Sequence, residues 1–155
     1  MLEIERKFLV QDVQASIAQA TTSYAIFQGY LSNDPERTVR LRISNSQAFL
    51  TIKGASSEDG TTRVEWEQEI PLDDAKTLLP LCLSGGIRKT RYCVPVGKHN
   101  FEVDVFEASL KGLVLAEIEL ESSDEKVALP DWIGEEVTGD KRYYNSYLSV
   151  HGKPA

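Results

Sequence analysis

The sequence predicts an α+β protein built on an eight-stranded antiparallel closed β-barrel, a tunnel with a few flanking helices and a helix at its C-terminal end. Three observations carry this reading. Eight segments read as strands, joined mostly by short turns. Seven of them carry charge at every second residue, with largely apolar or uncharged residues between. An even number of antiparallel strands can also close on itself. A flat sheet would leave the charged faces in bulk water, whereas a barrel would turn them inward and pack its apolar exterior under helices. Solvated faces usually mix Thr, Ser, Gln and both charge signs, but here acidic pairs are segregated from basic ones. Like charges two residues apart, or opposite one another across a sheet, repel and give folding no benefit. The segregation favours a barrel with a wet, charged lumen made for a polyanion and its cations.

The first strand, Glu3 to Phe8, puts Glu3, Glu5 and Lys7 on one face and Ile4 and Phe8 on the other. Asp12 to Ala20 suits a short helix. Tyr24 to Leu31, Arg37 to Ile43 and Ala48 to Lys53 read as strands separated by turns at Ser32-Asn33-Asp34-Pro35 and Ser44-Asn45-Ser46-Gln47. Gly54 to Thr62 is patternless and rich in Gly, Ser, Asp and Thr, the composition of a mobile loop. The strand Arg63 to Ile70 ends at Pro71. An amphipathic helix then spans Leu72 to Leu83, with Asp73 and Asp74 where its dipole favours them and Gly85-Gly86 as its stop. Ile87 to Val96, Asn100 to Phe106 and Leu113 to Glu121 complete the strands, with turns at Gly97-Lys98 and Leu110-Lys111-Gly112. Pro130 to Gly134 reads as a short turn of helix. Asp140 is placed to cap a last helix from Lys141 to about Val150.

With 155 residues the chain suits one domain, residues 1–155, long enough to bury a real core. Its 41% hydrophobic and 26% charged residues are ordinary for a soluble protein, and no window approaches the roughly 20 apolar residues of a membrane span. No membrane partner is expected. The N-terminus enters a charged strand without a basic, apolar leader, which points to the cytoplasm. Cys82 and Cys93 suit reduced core residues, and His99 and His151 are too few and too distant for a histidine metal site. The net charge of −7 argues against general nucleic-acid binding, so no nucleic-acid partner is expected. A small anion responds instead to the local field, and bases cluster at Arg37 to Arg42, Lys53, Arg63 and Arg88 to Arg91.

The lumen would hold two chemistries. Glu3, Glu5, Asp104, Glu117 and Glu119 are hard oxygen ligands suited to Mg2+ or Mn2+. Arg40, Arg42, Lys53, Lys89 and Arg91 suit phosphate oxygens, and so many cations call for a chain of several phosphates such as a linear triphosphate.

The opening Glu3-Ile4-Glu5-Arg6-Lys7 resembles the ExExK signature of the CYTH, or triphosphate tunnel metalloenzyme, superfamily. Arg40-x-Arg42, Thr51-x-Lys53, Glu65-x-Glu67, Lys89-x-Arg91, Asp104 and Glu117-x-Glu119 follow in that family's order, so the resemblance covers nearly the whole chain. It implies an eight-stranded tunnel holding a divalent metal and a triphosphate. It also implies that Glu3, Glu5 and Glu119 hold the activating metal, while Asp104, Glu117 and Glu119 surround a second metal or the attacking water. Lys7 points inward toward phosphate, and Arg40, Arg42, Lys53, Lys89 and Arg91 bind the polyphosphate. Glu65 and Glu67 would ligate metal through water or orient the bases. The catalytic set is then Glu5, Lys7, Asp104 and Glu117. Val137 to Asn145 resembles the segment leading into the family's tunnel-closing helix, with Arg142 as a candidate phosphate ligand, Lys141 as its alternative, and a solvated helix N-terminus as the plainer reading.

The bland readings suit other residues. Trp66 alternates with Glu65 and Glu67 and should face outward under a helix; Trp132 suits the core. Gln28 and Tyr30 share a parity that lines the tunnel or merely pairs across the sheet, and Tyr30 is kept as an accessory candidate. Gly85-Gly86 lacks the context of a P-loop. The expected activity is hydrolysis of inorganic triphosphate to phosphate and pyrophosphate. Thiamine triphosphatase, class IV adenylate cyclase, nucleoside triphosphatase or a non-catalytic polyphosphate-binding module are the rivals, and short loops with few unassigned aromatics favour a small symmetric substrate.

Overall fold

The computed structural model describes residues 1–154. The strands are β1 (Leu2–Val10), β2 (Thr22–Asp34), β3 (Arg37–Ser44), β4 (Gln47–Gly54), β5 (Thr62–Ile70), β6 (Ile87–Val96), β7 (His99–Phe106), β8 (Val114–Glu119) and β9 (Ile133–Glu136). Their order is β5-β4-β3-β2-β6-β7-β8-β1-β9, and β5 also pairs with β1, so the first eight close into a barrel. Every pairing is antiparallel. The closing seam is short: only Leu2, Glu3 and Ile4 oppose Val64, Arg63 and Thr62.

The seam explains the ninth strand, which the sequence reading took for a turn of helix at Pro130 to Gly134. Once β5 leaves β1 after Ile4, the edge of β1 from Phe8 onward would hold unpaired backbone groups. β9 covers it, with Phe8 opposite Glu136 and Val10 opposite Ile133, and Arg6 binds Glu136 through Nε at 2.9 Å and Nη2 at 2.7 Å. Four residues are too few to show a period.

Three helices flank the barrel: α1 (Val13–Ala18), α2 (Leu72–Leu78) and α3 (Asn145–His151). Asp12 caps α1 by accepting from the Ala15 amide. α2 is shorter than its apolar spacing suggests and passes into a tight 3-10 turn at Leu79–Leu81, because Pro80 lacks the amide hydrogen an α-helix needs there. The expected helix from Lys141 to about Val150 is broken in two. Asp140 caps a 3-10 turn at Lys141–Tyr143, Tyr144 is extended (φ −70°, ψ 134°), and α3 starts afresh at Asn145. Gly85 belongs to this end of the molecule as much as to the end of α2: a Cβ on it would lie 1.8 Å from the Ser149 carbonyl oxygen, so only glycine lets α3 come so close.

The barrel's main core lies outside its wall. Phe8, Val94, Phe101, Val103, Ala116, Ile118, Trp132 and Ile133 pack there, and Trp132 meets Phe101 edge to face at 5.4 Å. Leu41 and Ala48 pack against Ala75 of α2. Trp66 faces outward as expected, but no helix covers it; it stays 42% exposed beside Ile52, its cross-strand partner. Cys82 and Cys93 are free thiols.

Candidate functional site

Strand order turns the alternating charges into two facing arcs. On one side β4, β3, β2 and β6 present Lys53, Arg40 and Arg42, Gln28 and Tyr30, then Arg91 and Lys89. On the other, β7, β8, β1 and β5 present Glu102 and Asp104, Glu117 and Glu119, Glu3 and Glu5, then Glu65 and Glu67, with Lys7 and Arg63 as the cations among them. Between them lies a polar cavity of about 270 Å³.

The arcs meet at two seams, and ion pairs form there. At the β6/β7 seam Arg91 grips Asp104 with two hydrogen bonds, Nε to Oδ1 at 2.7 Å and Nη2 to Oδ2 at 2.9 Å. Lys89 reaches the same carboxylate at 2.6 Å, and Arg91 also contacts Glu102 at 3.1 Å. At the opposite seam Lys53 Nζ lies 2.7 Å from Glu3 and 3.5 Å from Glu65. Arg40 donates to Thr51 Oγ1 at 3.2 Å, which donates onward to Glu67 at 2.7 Å.

Arg40 Nη2 also lies 3.6 Å from Glu67, whereas Arg42, away from the seams, lacks an ionic partner. Arg42 is held only by a neutral group, its Nε donating to Gln28 Oε1 at 3.0 Å, and Arg40 Nε is buried with no partner among the described residues. Burial, with repulsion from Arg40 and Arg91, pushes the Arg42 pKa down to about 10, so it stays charged at neutral pH. Across the lumen Glu5 and Glu117 lie side by side, half-buried in the cavity wall. Burial, then repulsion from Glu117 and Glu3, raises Glu5 well above the usual carboxylate range. Burial also opposes ionisation of Glu117, but Lys7 at 3.9 Å, the hydrogen bond with Glu5, and Arg91 and Lys89 outweigh it and hold Glu117 well below that range. Burial opposes Glu3 too, and Lys53 overcomes it. Despite burial, Arg91 and Lys89 bring Asp104 down to about 2, whereas burial pulls Lys89 down to about 7.

The lumen is not open throughout. One step deeper along four strands the inward residue turns apolar: Lys7 gives way to Leu9, Lys89 to Ile87, Asp104 to Phe106 and Glu117 to Leu115. Ile87, Phe106 and Leu115 join Leu110, Leu113, Val137 and Leu148 of α3 in a dry floor, with Leu9 and Tyr143 against it. The expected tunnel is therefore closed at this end. Above the floor Tyr144, Asn145 and Ser146 line the cavity. Lys7 Nζ donates to the Tyr143 carbonyl at 3.0 Å, and the Tyr144 hydroxyl shares a hydrogen bond with Ser56 at 3.0 Å.

Of the expected residues, Glu3, Glu5, Lys7, Tyr30, Arg40, Arg42, Lys53, Glu65, Glu67, Arg91, Glu117 and Glu119 line this one cavity. Three do not reach its wall. Asp104 and Lys89 point inward but are enclosed, 1% exposed each, and satisfy one another at the seam. Arg142 is exposed and folds back onto Asp140, bonding it at 3.0 and 2.6 Å, because the 3-10 turn carries it away from the lumen. Lys141 is exposed as well. Arg63, Glu102, Tyr144, Asn145 and Ser146 line the cavity without having been named as site residues. Arg63 and Glu102 carried a signal, the parity of Glu65 and Asp104. Asn145 carried only its place at the end of the Val137 to Asn145 segment.

Among the described residues no three His, Cys, Asp or Glu side chains stand ready as a cation cage, and Glu3 is turned to Lys53. The donor set nevertheless fits a hard divalent ion: Glu5 and Glu117 are paired carboxylates in the cavity wall, where a proton or a cation must offset their repulsion.

Comparison with known proteins agrees with this geometry. An inorganic triphosphatase of Acetivibrio thermocellus is 43% identical over 148 residues, covering 94% of this chain and 92% of that protein. One from Nitrosomonas europaea is 39% identical, covering 97% and 98%. The crystal structure of the inorganic triphosphatase NE1496 superposes with a TM-score of 0.68 at 34% identity, over 98% of this chain and 97% of that one. A Hippeastrum protein described as a putative adenylyl cyclase with dominant triphosphatase activity shares the fold at a TM-score of 0.64 and 15% identity, over 77% of this chain and 80% of that one. The family model of the CYTH domain matches residues 1–145, from the first charged strand to the start of α3, and the chain belongs to the CYTH domain family.

Proposed function

We propose that this protein hydrolyses inorganic triphosphate to phosphate and pyrophosphate with Mg2+ or Mn2+. One observation carries the reading: the half-buried Arg42 and the buried Arg40 face a carboxylate arc across a polar cavity, yet Arg42 has only a neutral partner, and Arg40 meets Glu67 through one nitrogen at 3.6 Å while its Nε has no partner among the described residues. A buried charge left so is costly unless an anion completes it. The two curated relatives, both inorganic triphosphatases, support the same substrate. The cavity's 270 Å³ falls just below the roughly 300–1,000 Å³ usual for organic ligands, which favours a bare phosphate chain over thiamine triphosphate or a nucleotide.

Arg40, Arg42, Lys53, Arg63 and Arg91 would neutralise and align the phosphates, with Lys7 near the scissile bond. Glu3, Glu5, Glu117 and Glu119 would hold the divalent ion, which supplies charge neutralisation of phosphate oxygens and polarisation of water when bound. Glu117, kept ionised by its cationic neighbours, is suited to orient the attacking water by accepting its hydrogen bond, with the water's proton passing to the departing pyrophosphate or to solvent. Water's oxygen then joins the terminal phosphorus as its bridging bond breaks and pyrophosphate departs. Asp104 serves as counter-ion to Arg91 and Lys89 rather than as a ligand.

Phosphate release from triphosphate, ATP and thiamine triphosphate with each metal tests this. Triphosphate should be turned over fastest, and Glu5→Ala and Arg40→Ala should each lose about a hundredfold or more while staying folded. Equal turnover of ATP, or wild-type release by both variants, would refute it.

A further inference from the structure

Asn145 stands where the wet lumen meets its dry floor. Its Oδ1 receives two hydrogen bonds, from Lys89 Nζ at 3.0 Å and from Gln28 Nε2 at 3.1 Å. Chemistry decides which end of the amide faces them. An ammonium has donors and no acceptor, so the atom opposite Lys89 must be oxygen. Arg42 independently demands the oxygen of Gln28, at 3.0 Å from its Nε, which leaves the Gln28 nitrogen to face Asn145 and again requires oxygen there. Two donors thus fix one orientation.

The other end of that amide is then also fixed. Asn145 lines the cavity, and its Nδ2 donates to no acceptor among the described residues. Swinging away is opposed from below: Leu148, three residues on and so on the same helix face, is 2% exposed in the floor. We propose that Asn145 is a substrate-binding residue, its amide locked by Gln28 and Lys89 so that Nδ2 donates to a phosphate oxygen at the closed end of the lumen. It lets the enclosed Lys89 act on the ligand through a neutral relay, and it marks where a phosphate chain must stop. The proposal rests on the triphosphate reading above.

Asn145→Asp separates this role from seating the helix. The variant is isosteric and still offers oxygens to Gln28 and Lys89, but it replaces the donor with a second oxygen. In Mg2+ its KM for triphosphate should rise about tenfold or more, the loss of a hydrogen bond to a charged group. kcat should change less than KM, and the melting temperature should hold within about 2 °C. Asn145→Ala should show the same rise in KM and serves if the Asp variant fails to fold. Wild-type KM in either folded variant overturns the proposal. Wild-type protein inactive on triphosphate would sink the enzymatic reading alone; calorimetric binding of tripolyphosphate then applies the same criterion, and binding by Asn145→Asp as tight as wild type overturns the inference. Wild type that neither hydrolyses nor binds overturns both.

Discussion

Glu5 shows how one residue can serve function against stability. Its half-buried carboxyl lies beside Glu117 and Glu3 in the cavity wall, and its pKa is raised well above the usual range. A raised acid binds its proton more tightly folded than unfolded, so the stability it contributes is full below the unfolded carboxylate value and is lost as pH rises through the folded one. At neutral pH without metal Glu5 is therefore a strained group. Glu5→Gln should raise the melting temperature at pH 7 in chelator, by about 2–4 °C for each kcal/mol relieved, with the gain gone near pH 4, while triphosphate turnover disappears. Thermal scans at the two pH values check it; an unchanged or lower melting temperature at pH 7 would show that Glu5 is not strained. Parity exposed Glu5, Arg40 and Arg42 in the sequence because facing is a local property of a strand. It gave the facing of Asp104 and Lys89 but not their depth, which depends on neighbours from β6, β7 and α3.

Among the elements, the loop 55–61 and the segment leading to α3 decide who reaches the lumen. They interlock through glycine backbones: Gly60 (φ +77°) lies so close to Gly139 (φ +79°) that a Cβ on Gly60 would sit 2.2 Å from the Gly139 Cα. Ser56 and Tyr144 tie the same two elements by their hydroxyls. Gly60→Ala meets both a left-handed backbone penalty of roughly 1–2 kcal/mol and a backbone clash, and should lower stability by at least about that much. Limited proteolysis should then cut within 55–61 faster than in wild type, and equal cleavage would mean the two elements do not depend on each other. The loop's composition marked it as irregular. Nothing in its composition marked its partner, since the contact joins residues almost eighty positions apart. The breaking of the final helix at Tyr144 was hidden in the same way, because Lys7 and Ser56 hold that segment from other parts of the chain.

At the level of the whole molecule, the barrel closes over its least secured seam. β1 opposes β5 through three residue pairs, whereas β3 and β4 share eight. Local opening should therefore start there, and the amides of Glu5 and Glu65, which bond to Thr61 and Met1 across the seam, should exchange faster than those at the β3–β4 ladder. On the proposed function, triphosphate with Mg2+ should bridge the facing arcs and slow that exchange; hydrogen exchange with and without ligand reads both, and slower exchange at the seam than in the ladder would be inconsistent with this order of opening. The sequence by itself determined that seven of the eight strands alternate charge with apolar or uncharged residues, and hence that their charged faces belong together, because a strand's side chains alternate with a period set by its own backbone. Only the tertiary structure decided that the lumen ends on Leu115, Phe106 and Leu148, that Asp104 and Lys89 neutralise each other, and that Asn145 reaches in from a different element. Those outcomes depend on register, depth and docking between distant segments, and no local period carries that information.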